Sequence, residues 1–231
     1  TWPLVQKLGV ALTVAKALEE EGLLLIKEET SYRNPIKYTD LLPYDIRLNK
    51  EQDNVSKGIC AYIDNNALGY GGVHLIHGIT GSGKTEVYMD VIDKVIAKGK
   101  EVIVMIPEIA LTYQTVMRFY RKFGDKVSII NSKLSAGERY DQFERAKNGE
   151  IKIMIGPRSA VFTPFRNLGL IIIDEEHEGS YKSENVPRYH ARETAIYRAK
   201  SEGAAVILGS ATPAVDSYYK ALTGEYILYE L

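Results

Sequence analysis

The stretch that decides the fold reads VHLIHGITGSGKT and runs from Val73 to Thr85. Its opening residues form a short apolar run that is typical of a buried strand. The rest matches the pattern G-x-x-x-x-G-K-[ST], in which glycines let backbone N–H groups turn inward around an anionic phosphate. A helix that begins there would add the positive end of its dipole to this attraction. The stretch therefore predicts a strand, a phosphate loop and a helix in direct succession.

The polar residues of this loop have predicted tasks. Lys84 would reach the β- and γ-phosphates of a nucleotide as a mobile point charge, and the hydroxyl of Thr85 would ligate Mg²⁺. The remaining nucleotide-binding positions are Gly78, Thr80, Gly81, Ser82 and Gly83. The alternative interpretation is a glycine-rich turn that holds no ligand.

On either side of the loop, β-rich runs alternate with stretches of helical pattern. The predicted strands are 73–77, 102–106, 127–130, 151–155, 170–173 and 205–208, and examples of the helices between them are 86–97, 111–123, 135–147 and 191–201. Strands that are apolar throughout and joined by helices predict an α/β fold, in which helices cover both faces of a parallel sheet. Ligands bind such doubly wound sheets at the carboxyl ends of the strands.

An acidic cluster lies at one of these strand ends, where Asp174, Glu175, Glu176 and His177 follow the aliphatic run 170–173. Asp174 could hold the Mg²⁺ that Thr85 ligates. Glu175 could accept a proton from a water that attacks the γ-phosphate, which favours hydrolysis over transfer to a substrate hydroxyl. His177 could link the γ-phosphate to neighbouring elements, or be a hydrogen-bonded loop residue. The alternative for the whole cluster is a solvated acidic turn.

Composition narrows the class of protein. The chain has 231 residues, 45% of them hydrophobic and 26% charged, which excludes wholesale disorder. It lacks the ~20 consecutive apolar residues of a membrane span and the layout of a signal peptide, so we expect a cytoplasmic protein with no membrane partner. Cys60 is the one cysteine, which excludes an internal disulfide and a multi-cysteine zinc site in this stretch. The net charge of −1 does not by itself indicate a nucleic-acid partner.

The first 40 residues differ from the rest. The segment Leu12–Glu20 has a helical pattern that Gly22 would stop, an apolar run at 23–26 suggests a strand, and 32–35 is turn-like. This order suits either the end of a winged helix or an α/β appendage without a binding role. We expect residues 1–40 to form this segment and its linker, and residues 41–231 to form the nucleotide-binding domain. Because the chain starts at Thr1, it is expected to be a piece of a longer protein.

Several further segments carry a resemblance to a known family. The Ser-Ala-Thr sequence after the last strand and the Asp-Glu-x-His box resemble motifs of superfamily-two helicases. More closely, the chain resembles the PriA (primosomal protein N-prime) family of replication-restart helicases. The segments that match are 32–35, 48–52, the phosphate loop, 106–112, 158–162, 174–178, 187–192 and 209–213.

The resemblance implies the first RecA-like lobe of an ATP- and Mg²⁺-dependent 3′-to-5′ DNA helicase, preceded by the end of a winged helix. It implies single-stranded and forked DNA and replication-restart or primosome proteins as partners. It also implies that zinc is bound only in a part of the family's proteins that lies beyond Leu231. A second lobe would supply arginines to the γ-phosphate, so this stretch alone is expected to hydrolyse ATP very slowly.

The resemblance also implies roles for particular residues. Gln52 would read the edge of adenine, and His177, Ser210 and Thr212 would couple hydrolysis to movement. Aromatic rings that stack on bases beside cations that meet phosphates would bind single-stranded DNA. The predicted DNA-contacting residues are Arg158, Tyr181, Lys182, Arg188, Tyr189 and Arg192. Without the resemblance, Gln52 is an exposed residue at a helix start, and the segment 180–192 is a tyrosine-bearing surface loop.

Three positions depart from the family pattern, and two other functions stay open. Pro157, Asn131 and Tyr113 stand where the family usually has Thr, His and Pro, which affects individual DNA contacts. A P-loop NTPase of another class, such as a phosphotransferase, would be indifferent to DNA. A DNA-binding module that does not hydrolyse nucleotide would have no use for Glu175.

Overall fold

The structure, a computed structural model, describes residues 11–25, 46–65 and 69–231. The chain divides into two compact units, 1–32 and 33–231. In the first unit, helix α1 spans Leu12–Glu20, as the sequence predicts. Leu23, Leu24 and Leu25 are exposed and lie outside any strand, so the strand expected from residue 23 is not present up to residue 25. Residues 26–45, which include the expected turn and linker, lie outside the described residues.

The second unit contains a parallel sheet of seven strands. Its elements in chain order are α2 (Lys50–Asn65), β1 (Val73–His77), α3 (Lys84–Ala97), β2 (Glu101–Met105), α4 (Tyr113–Phe123), β3 (Val127–Ile129), α5 (Ala136–Lys147), β4 (Ile153–Gly156), β5 (Leu168–Asp174), α6 (Ala191–Glu202), β6 (Ala205–Ser210), α7 (Val215–Leu222) and β7 (Ile227–Glu230). The strand order is β3-β4-β2-β5-β6-β1-β7. Short 3-10 helices span Gly124–Lys126, Arg158–Phe162 and Gly179–Tyr181.

Helices cover both faces of this sheet, which confirms the predicted α/β architecture. Alternate residues of the central strands point to opposite faces and build two apolar clusters. Val104, Ile172 and Ile207 pack with α2, α3 and α4 in one cluster. Ile103 and Ile173 pack in the other, to which α5, α6 and α7 contribute alanine side chains. Because the strands are buried on both faces, they read as continuous apolar runs.

Each of the six predicted runs forms a strand, while β7 was not predicted. β7 pairs in parallel with β1 at the edge of the sheet, and its residues are half-buried or exposed. A half-buried edge strand carries less apolar character than a central one, so its sequence gives a weaker signal.

The order of the strands places the predicted site. The phosphate loop follows β1 and the acidic cluster follows β5, and β6 lies between these two strands. The loops after β1, β5 and β6, which are far apart in sequence, therefore lie next to one another at the carboxyl ends of the strands. Within residues 11–25, 46–65 and 69–231, no helix has the length and apolar character needed to cross a membrane.

Candidate nucleotide site and aromatic-basic segment

The phosphate loop connects β1 directly to the first turn of α3. Gly83 caps the helix with a φ of 87°, and a Cβ atom there would lie 2.1 Å from Gln52 Nε2. A side chain at this position is excluded both by the left-handed backbone and by the close approach of Gln52. The helix thus begins with its free N–H groups facing the loop, an arrangement that favours anions.

Lys84 folds back over the loop that precedes it. Its Nζ atom donates to Gly78 O at 2.7 Å and to Ile79 O at 3.4 Å, and only 7% of the residue is exposed. The ammonium group also lies 3.9 Å from Glu175 Oε1 of the acidic cluster. Lys84 therefore provides a direct contact between the phosphate loop and the acidic cluster.

Gln52 lies against the phosphate loop from the other side. Its Nε2 donates to Ser82 O at 2.9 Å, and its Oε1 accepts from Asn49 N at 2.9 Å. Asn49 Oδ1 in turn accepts from Gln52 N at 2.9 Å, which caps the start of α2. Since the amide has two N–H groups and its oxygen two lone pairs, one donor and one acceptor remain for a base.

Asp174 is the last residue of β5, and two buried tyrosines contact it. Tyr88 Oη donates to Asp174 Oδ1 at 3.1 Å. Tyr181 Oη lies 2.6 Å from Asp174 O and 3.1 Å from Met105 O, and shares its proton between these carbonyls. Both tyrosines are 1% exposed. The main chain and the side chain of Asp174 are each fixed by a phenol.

The electrostatics of this pair follow from burial. Burial raises the pKa of the Asp174 carboxyl, and the neighbouring Glu175 carboxylate raises it further. The hydrogen bond from Tyr88 and the charge of Lys84 act in the opposite direction. Burial, and then the charge of Asp174, raise the pKa of the Tyr88 phenol well above its usual value.

Glu175 has a left-handed backbone, with a φ of 47°, and no other non-glycine residue in the described part of the chain has a positive φ. This conformation is costly for a residue with a Cβ and is found most often at functional sites. Glu175 Oε1 faces Lys84, and Oε2 lies 3.7 Å from His177 Nδ1. The carboxylate therefore lies between the two cationic or titratable groups of the site.

His177, Ser210 and Thr212 come together beside Glu175. His177 Nδ1 lies 2.7 Å from Ser210 Oγ, and His177 Nε2 lies 3.4 Å from Thr212 Oγ1. Thr212 N donates to Ser210 Oγ at 2.9 Å. Because Ser210 ends β6, the imidazole connects the loop after β5 with the loop after β6.

Glu176 lies in the interior, although its neighbours in sequence line the site. Glu176 Oε2 accepts from Arg192 Nη1 at 2.8 Å and from Ser217 Oγ at 2.9 Å, and Oε1 accepts from Ala214 N at 2.6 Å. Arg192 also forms an ion pair with Asp216. This network joins the loop after β5 to the starts of α6 and α7.

The aromatic-basic segment, defined here as residues 180–192, has a buried part and an exposed part. Tyr181 and Arg192 are 1% and 7% exposed, so their side chains do not face solvent as the DNA-contact prediction requires. Lys182 and Arg188 are exposed, and Tyr189 is half-buried. An antiparallel bridge between Lys182 and His190 closes the exposed part.

Arg158 contacts the main chain at the start of this segment. Its Nη1 donates to Lys182 O at 2.7 Å and to Ser180 O at 3.2 Å. Phe162, from the same 3-10 helix, contacts Tyr189 edge to face with 5.0 Å between ring centroids. Arg158 also borders an open cleft of about 320 Å³, whose other lining residues include Glu108, Asn131, Arg139 and Pro157.

The donor set fits a hard cation such as Mg²⁺ or Mn²⁺ and lacks the thiolate and imidazole ligands that softer transition metals prefer. Thr85 offers a hydroxyl and Asp174 a carboxylate, which are the hard oxygen donors that Mg²⁺ uses beside substrate phosphates. Among the described residues, no cluster of three or more His, Cys, Asp or Glu side chains could hold a metal ion alone. A cation here would need ligands from the nucleotide.

Sequence reasoning did not find Tyr88, Asp216 or the interior role of Glu176. Tyr88 follows Lys84 by one helical turn, so it faces the same side of α3. That spacing was a usable signal for a residue near the site. The partners of Glu176 come from two other helices, and no local pattern connects them.

Comparison with known proteins identifies the family of the chain. The family model described as DEAD/DEAH box helicase matches residues 61–221. The chain is 46% identical to the replication restart protein PriA of Bacillus subtilis over 99% of this chain and 28% of that protein. It is 40% identical to the protein of the same name from Haemophilus influenzae, over 91% of this chain and 29% of the relative. The chain thus spans less than a third of these relatives.

A solved structure of RecG bound to a three-way DNA junction superimposes with a TM-score of 0.58, covering 81% of this chain and 24% of that one at 24% identity. At this identity the likeness concerns the fold, and with the family model it confirms the predicted RecA-like helicase lobe. The chain belongs to the DEAD/DEAH box helicase family and is a relative of the replication restart protein PriA.

Proposed function

We propose that the polypeptide containing this chain is an ATP-dependent DNA helicase of replication restart, and that residues 41–231 form its ATP-binding lobe. One observation carries this proposal. Glu175 lies between Lys84 of the phosphate loop and His177, which contacts Ser210 at the end of β6. A carboxylate in that position can orient a water beside the nucleotide. Through His177, a change in its position can also alter the contacts at the end of β6.

The phosphate loop and the start of α3 bind the nucleotide. Lys84 carries the charge for the β- and γ-phosphates, the loop N–H groups surround them, and Gln52 uses its remaining donor and acceptor for adenine. Thr85 and Asp174 would hold Mg²⁺, which when bound would neutralise charge on the phosphate oxygens. When a nucleotide binds, the Lys84 ammonium exchanges its hydrogen bonds with Gly78 O and Ile79 O for contacts with phosphate oxygens.

Hydrolysis falls to Glu175. Its carboxylate orients a water and accepts a proton from it. The lysine at 3.9 Å and the imidazole at 3.7 Å keep this carboxylate oriented. His177 then connects the occupied site with Ser210 and Thr212, whose contacts change when the carboxylate changes its charge or position.

The proposed DNA path runs along the exposed part of the aromatic-basic segment. Lys182 and Arg188 meet phosphates, and Tyr189, supported by Phe162, offers a ring for base stacking. Arg158 positions this segment through Ser180 O and Lys182 O. Tyr181 and Arg192 are left out of the DNA-contacting set because their polar groups are engaged in the interior.

Several finer parts of the proposal rest on the resemblance to PriA. They are translocation in the 3′-to-5′ direction, action on forked DNA, assembly with primosome proteins, a cytoplasmic location, and a winged-helix-like segment in residues 1–40. The relatives carry the name replication restart protein, which is the basis for placing the activity at stalled forks.

The test is ATP turnover by the full-length polypeptide, with and without forked DNA. We expect DNA to stimulate turnover, and Glu175→Gln to lower it by about 10²-fold or more while ATP binding persists, because general base catalysis contributes about 10²–10⁴-fold. Glu150→Gln serves as the control. Glu150 is exposed and precedes β4, at the opposite edge of the sheet from the site.

Other outcomes separate the competing functions. Turnover that is indifferent to DNA, with phosphate passed to a small acceptor, would show a phosphotransferase. DNA binding without any turnover would show a module that does not hydrolyse ATP. Full turnover by Glu175→Gln would remove Glu175 from the proposed mechanism.

A further inference from the structure

We propose that Tyr88 is a positioning residue for the Mg²⁺ site, and that its hydroxyl orients the Asp174 carboxylate toward the cation. This inference rests on the proposed function, because it assigns a task within the same nucleotide site. The hydrogen bond of the Tyr88 hydroxyl goes to Asp174 Oδ1, so Tyr88 acts on the site through that carboxylate.

The position of Tyr88 follows from the helix that carries it. Lys84, Thr85 and Tyr88 lie within the first two turns of α3, and Tyr88 follows Lys84 by four residues. Residues at this spacing share one helical face. The face that presents the lysine ammonium to the phosphate loop therefore also presents the Tyr88 ring to the end of β5.

The hydrogen bond to Asp174 has one possible direction. An ionised carboxylate only accepts, and a phenol with an ordinary pKa of about 10 keeps its proton at neutral pH. Tyr88 therefore donates to Asp174 Oδ1 across 3.1 Å. Because the donor reaches one carboxylate oxygen, it fixes the rotation of the carboxylate plane.

A third element makes room for this phenol. A Cβ atom at Gly209 would lie 1.6 Å from Tyr88 Oη and 2.8 Å from Tyr88 Cζ. Gly209 stands directly opposite Asp174 in the pairing of β5 with β6. The absence of a side chain at Gly209 is thus what lets the phenol of α3 reach the carboxylate of β5.

The Tyr88 side chain cannot turn away from this position at small cost. The residue is 1% exposed and lies in the apolar cluster that α3 shares with the sheet. Asp174 O is separately held by Tyr181 Oη at 2.6 Å. With its carbonyl and its carboxylate both fixed, Asp174 is oriented before any cation binds. Partners that orient a ligating carboxylate in this way typically change metal affinity or activity about 10–100-fold when removed.

The experiment removes one oxygen atom, in the full-length polypeptide, with Tyr88→Phe. We expect Mn²⁺, titrated by electron paramagnetic resonance in the presence of a non-hydrolysable ATP analogue, to bind about 10-fold more weakly. The Mg²⁺ concentration for half-maximal ATP turnover should rise by the same factor. Binding of a fluorescent ADP analogue in EDTA should not change, because the buried Tyr88 hydroxyl donates to the carboxylate that would hold the cation.

Tyr120→Phe is the matched control. Tyr120 is 2% exposed, and its hydroxyl donates to Val127 O at 3.1 Å, away from the site. Both variants lose a buried phenolic hydroxyl, so a purely structural role would lower the free energy of unfolding in both and leave Mn²⁺ affinity alike. Mn²⁺ affinity in Tyr88→Phe equal to wild type would overturn the inference.

The two proposals fail separately. Absence of ATP turnover in the wild-type protein would overturn the proposed function, while the Mn²⁺ titration would still decide the role of Tyr88. Normal DNA-stimulated turnover with an unchanged Mg²⁺ requirement in Tyr88→Phe would uphold the function and reject the positioning role.

Discussion

At the scale of single residues, the site is built from side chains that already have partners within the protein. Gln52 donates to Ser82 O and accepts from Asn49 N, so its amide plane is set before a base arrives. Glu175 is held in a left-handed conformation that costs about 1–3 kcal/mol. Both are features of a preorganised site, in which groups are oriented in advance and less ordering accompanies ligand binding.

Substitution of Gln52 separates the observed contact of its amide with the phosphate loop from its proposed contact with adenine. In Gln52→Ala, loss of the contact with Ser82 O should loosen the phosphate loop and weaken ATP and GTP alike. Loss of the adenine contact should act on ATP alone, by about 10-fold, because a good bidentate base contact gives about 1–3 kcal/mol of discrimination. Equilibrium binding of fluorescent ATP and GTP analogues measures both effects.

Asn49→Ala is the control for the fold. It removes the cap of α2 and should lower the free energy of unfolding by about 1 kcal/mol. It leaves the Gln52 amide free to face a base, so the ratio of ATP to GTP affinity should stay as in the wild type. If the ratio of ATP to GTP affinity in Gln52→Ala equals that of the wild type, Gln52 does not recognise adenine. Its role would then be limited to the contact with Ser82 O of the phosphate loop.

At the scale of elements, the Glu176 carboxylate joins the loop after β5 to α6 and α7. It is 1% exposed and accepts hydrogen bonds from Arg192, Ser217 and Ala214 N. A buried charge of this kind persists only when its partners are complete. The network thus fixes the end of β5 and the starts of α6 and α7 relative to one another.

Removal of the Arg192 side chain should therefore lower the stability of the protein strongly and have little effect on DNA binding. We expect Arg192→Ala to lower the free energy of unfolding by about 3–5 kcal/mol, because it leaves Glu176 buried without its guanidinium. Urea denaturation measures this effect. Arg192→Met combined with Glu176→Gln should recover much of the loss, since no unpaired buried charge then remains and the other partner of Arg192, Asp216, is exposed.

DNA binding provides the second measurement for the same segment. Lys182→Ala should reduce the slope of log affinity against log salt by about 0.7 on single-stranded DNA, the loss of about one phosphate contact. Arg192→Ala, measured at a temperature where it is folded, should leave that slope unchanged. A reduced slope in Arg192→Ala and a full slope in Lys182→Ala would reverse this assignment.

The difference between Arg192 and Lys182 shows where sequence reasoning reaches its limit. Both belong to one short segment of alternating aromatic and basic residues, and both fit the same pattern of single-strand recognition. Which of them is buried depends on Glu176 and Asp216, which approach from elsewhere in the chain. Tyr181 is a similar case, because its phenol is needed at the end of β5.

At the scale of the whole molecule, the six apolar runs and the phosphate loop could be predicted because their signals are local. A buried strand is apolar in itself, and a phosphate loop has a fixed spacing. The order of the strands is not local. It is this order, with β6 between β5 and β1, that brings His177 to Ser210 and makes room for Tyr88 beside Gly209.

One residue of β1 should contribute to the pH dependence of the stability of the unit. His74 is fully buried, its Nε2 lies 2.8 Å from Gly71 O, and its ring lies beside Tyr62 and Tyr229. Burial lowers the pKa of His74 from 6.5 to about 4, although the hydrogen bond to Gly71 O opposes this shift. The folded protein therefore holds the imidazole neutral.

The sign of the effect follows from proton linkage. Above pH 6.5 the imidazole is neutral in both states, so His74 adds no pH dependence. As the pH falls from 6.5 to about 4, the unfolded chain takes up a proton that the folded chain refuses, and the free energy of unfolding falls. The difference between the two pKa values corresponds to a loss of about 3 kcal/mol. Below pH 4 both states are protonated and the loss is complete.

His74→Phe isolates this contribution, because phenylalanine keeps a ring against Tyr62 and Tyr229 but cannot take up a proton. The variant loses the hydrogen bond to Gly71 O at every pH, which lowers its stability by a constant amount. Urea unfolding of both proteins between pH 7.5 and 4 should show the wild type losing about 3 kcal/mol more than the variant. Other groups titrate equally in the two proteins and cancel in the difference. If the two curves stay parallel through this range, His74 accepts its proton in the folded state, and the packing around Gly71 and the two tyrosines must open to let it do so.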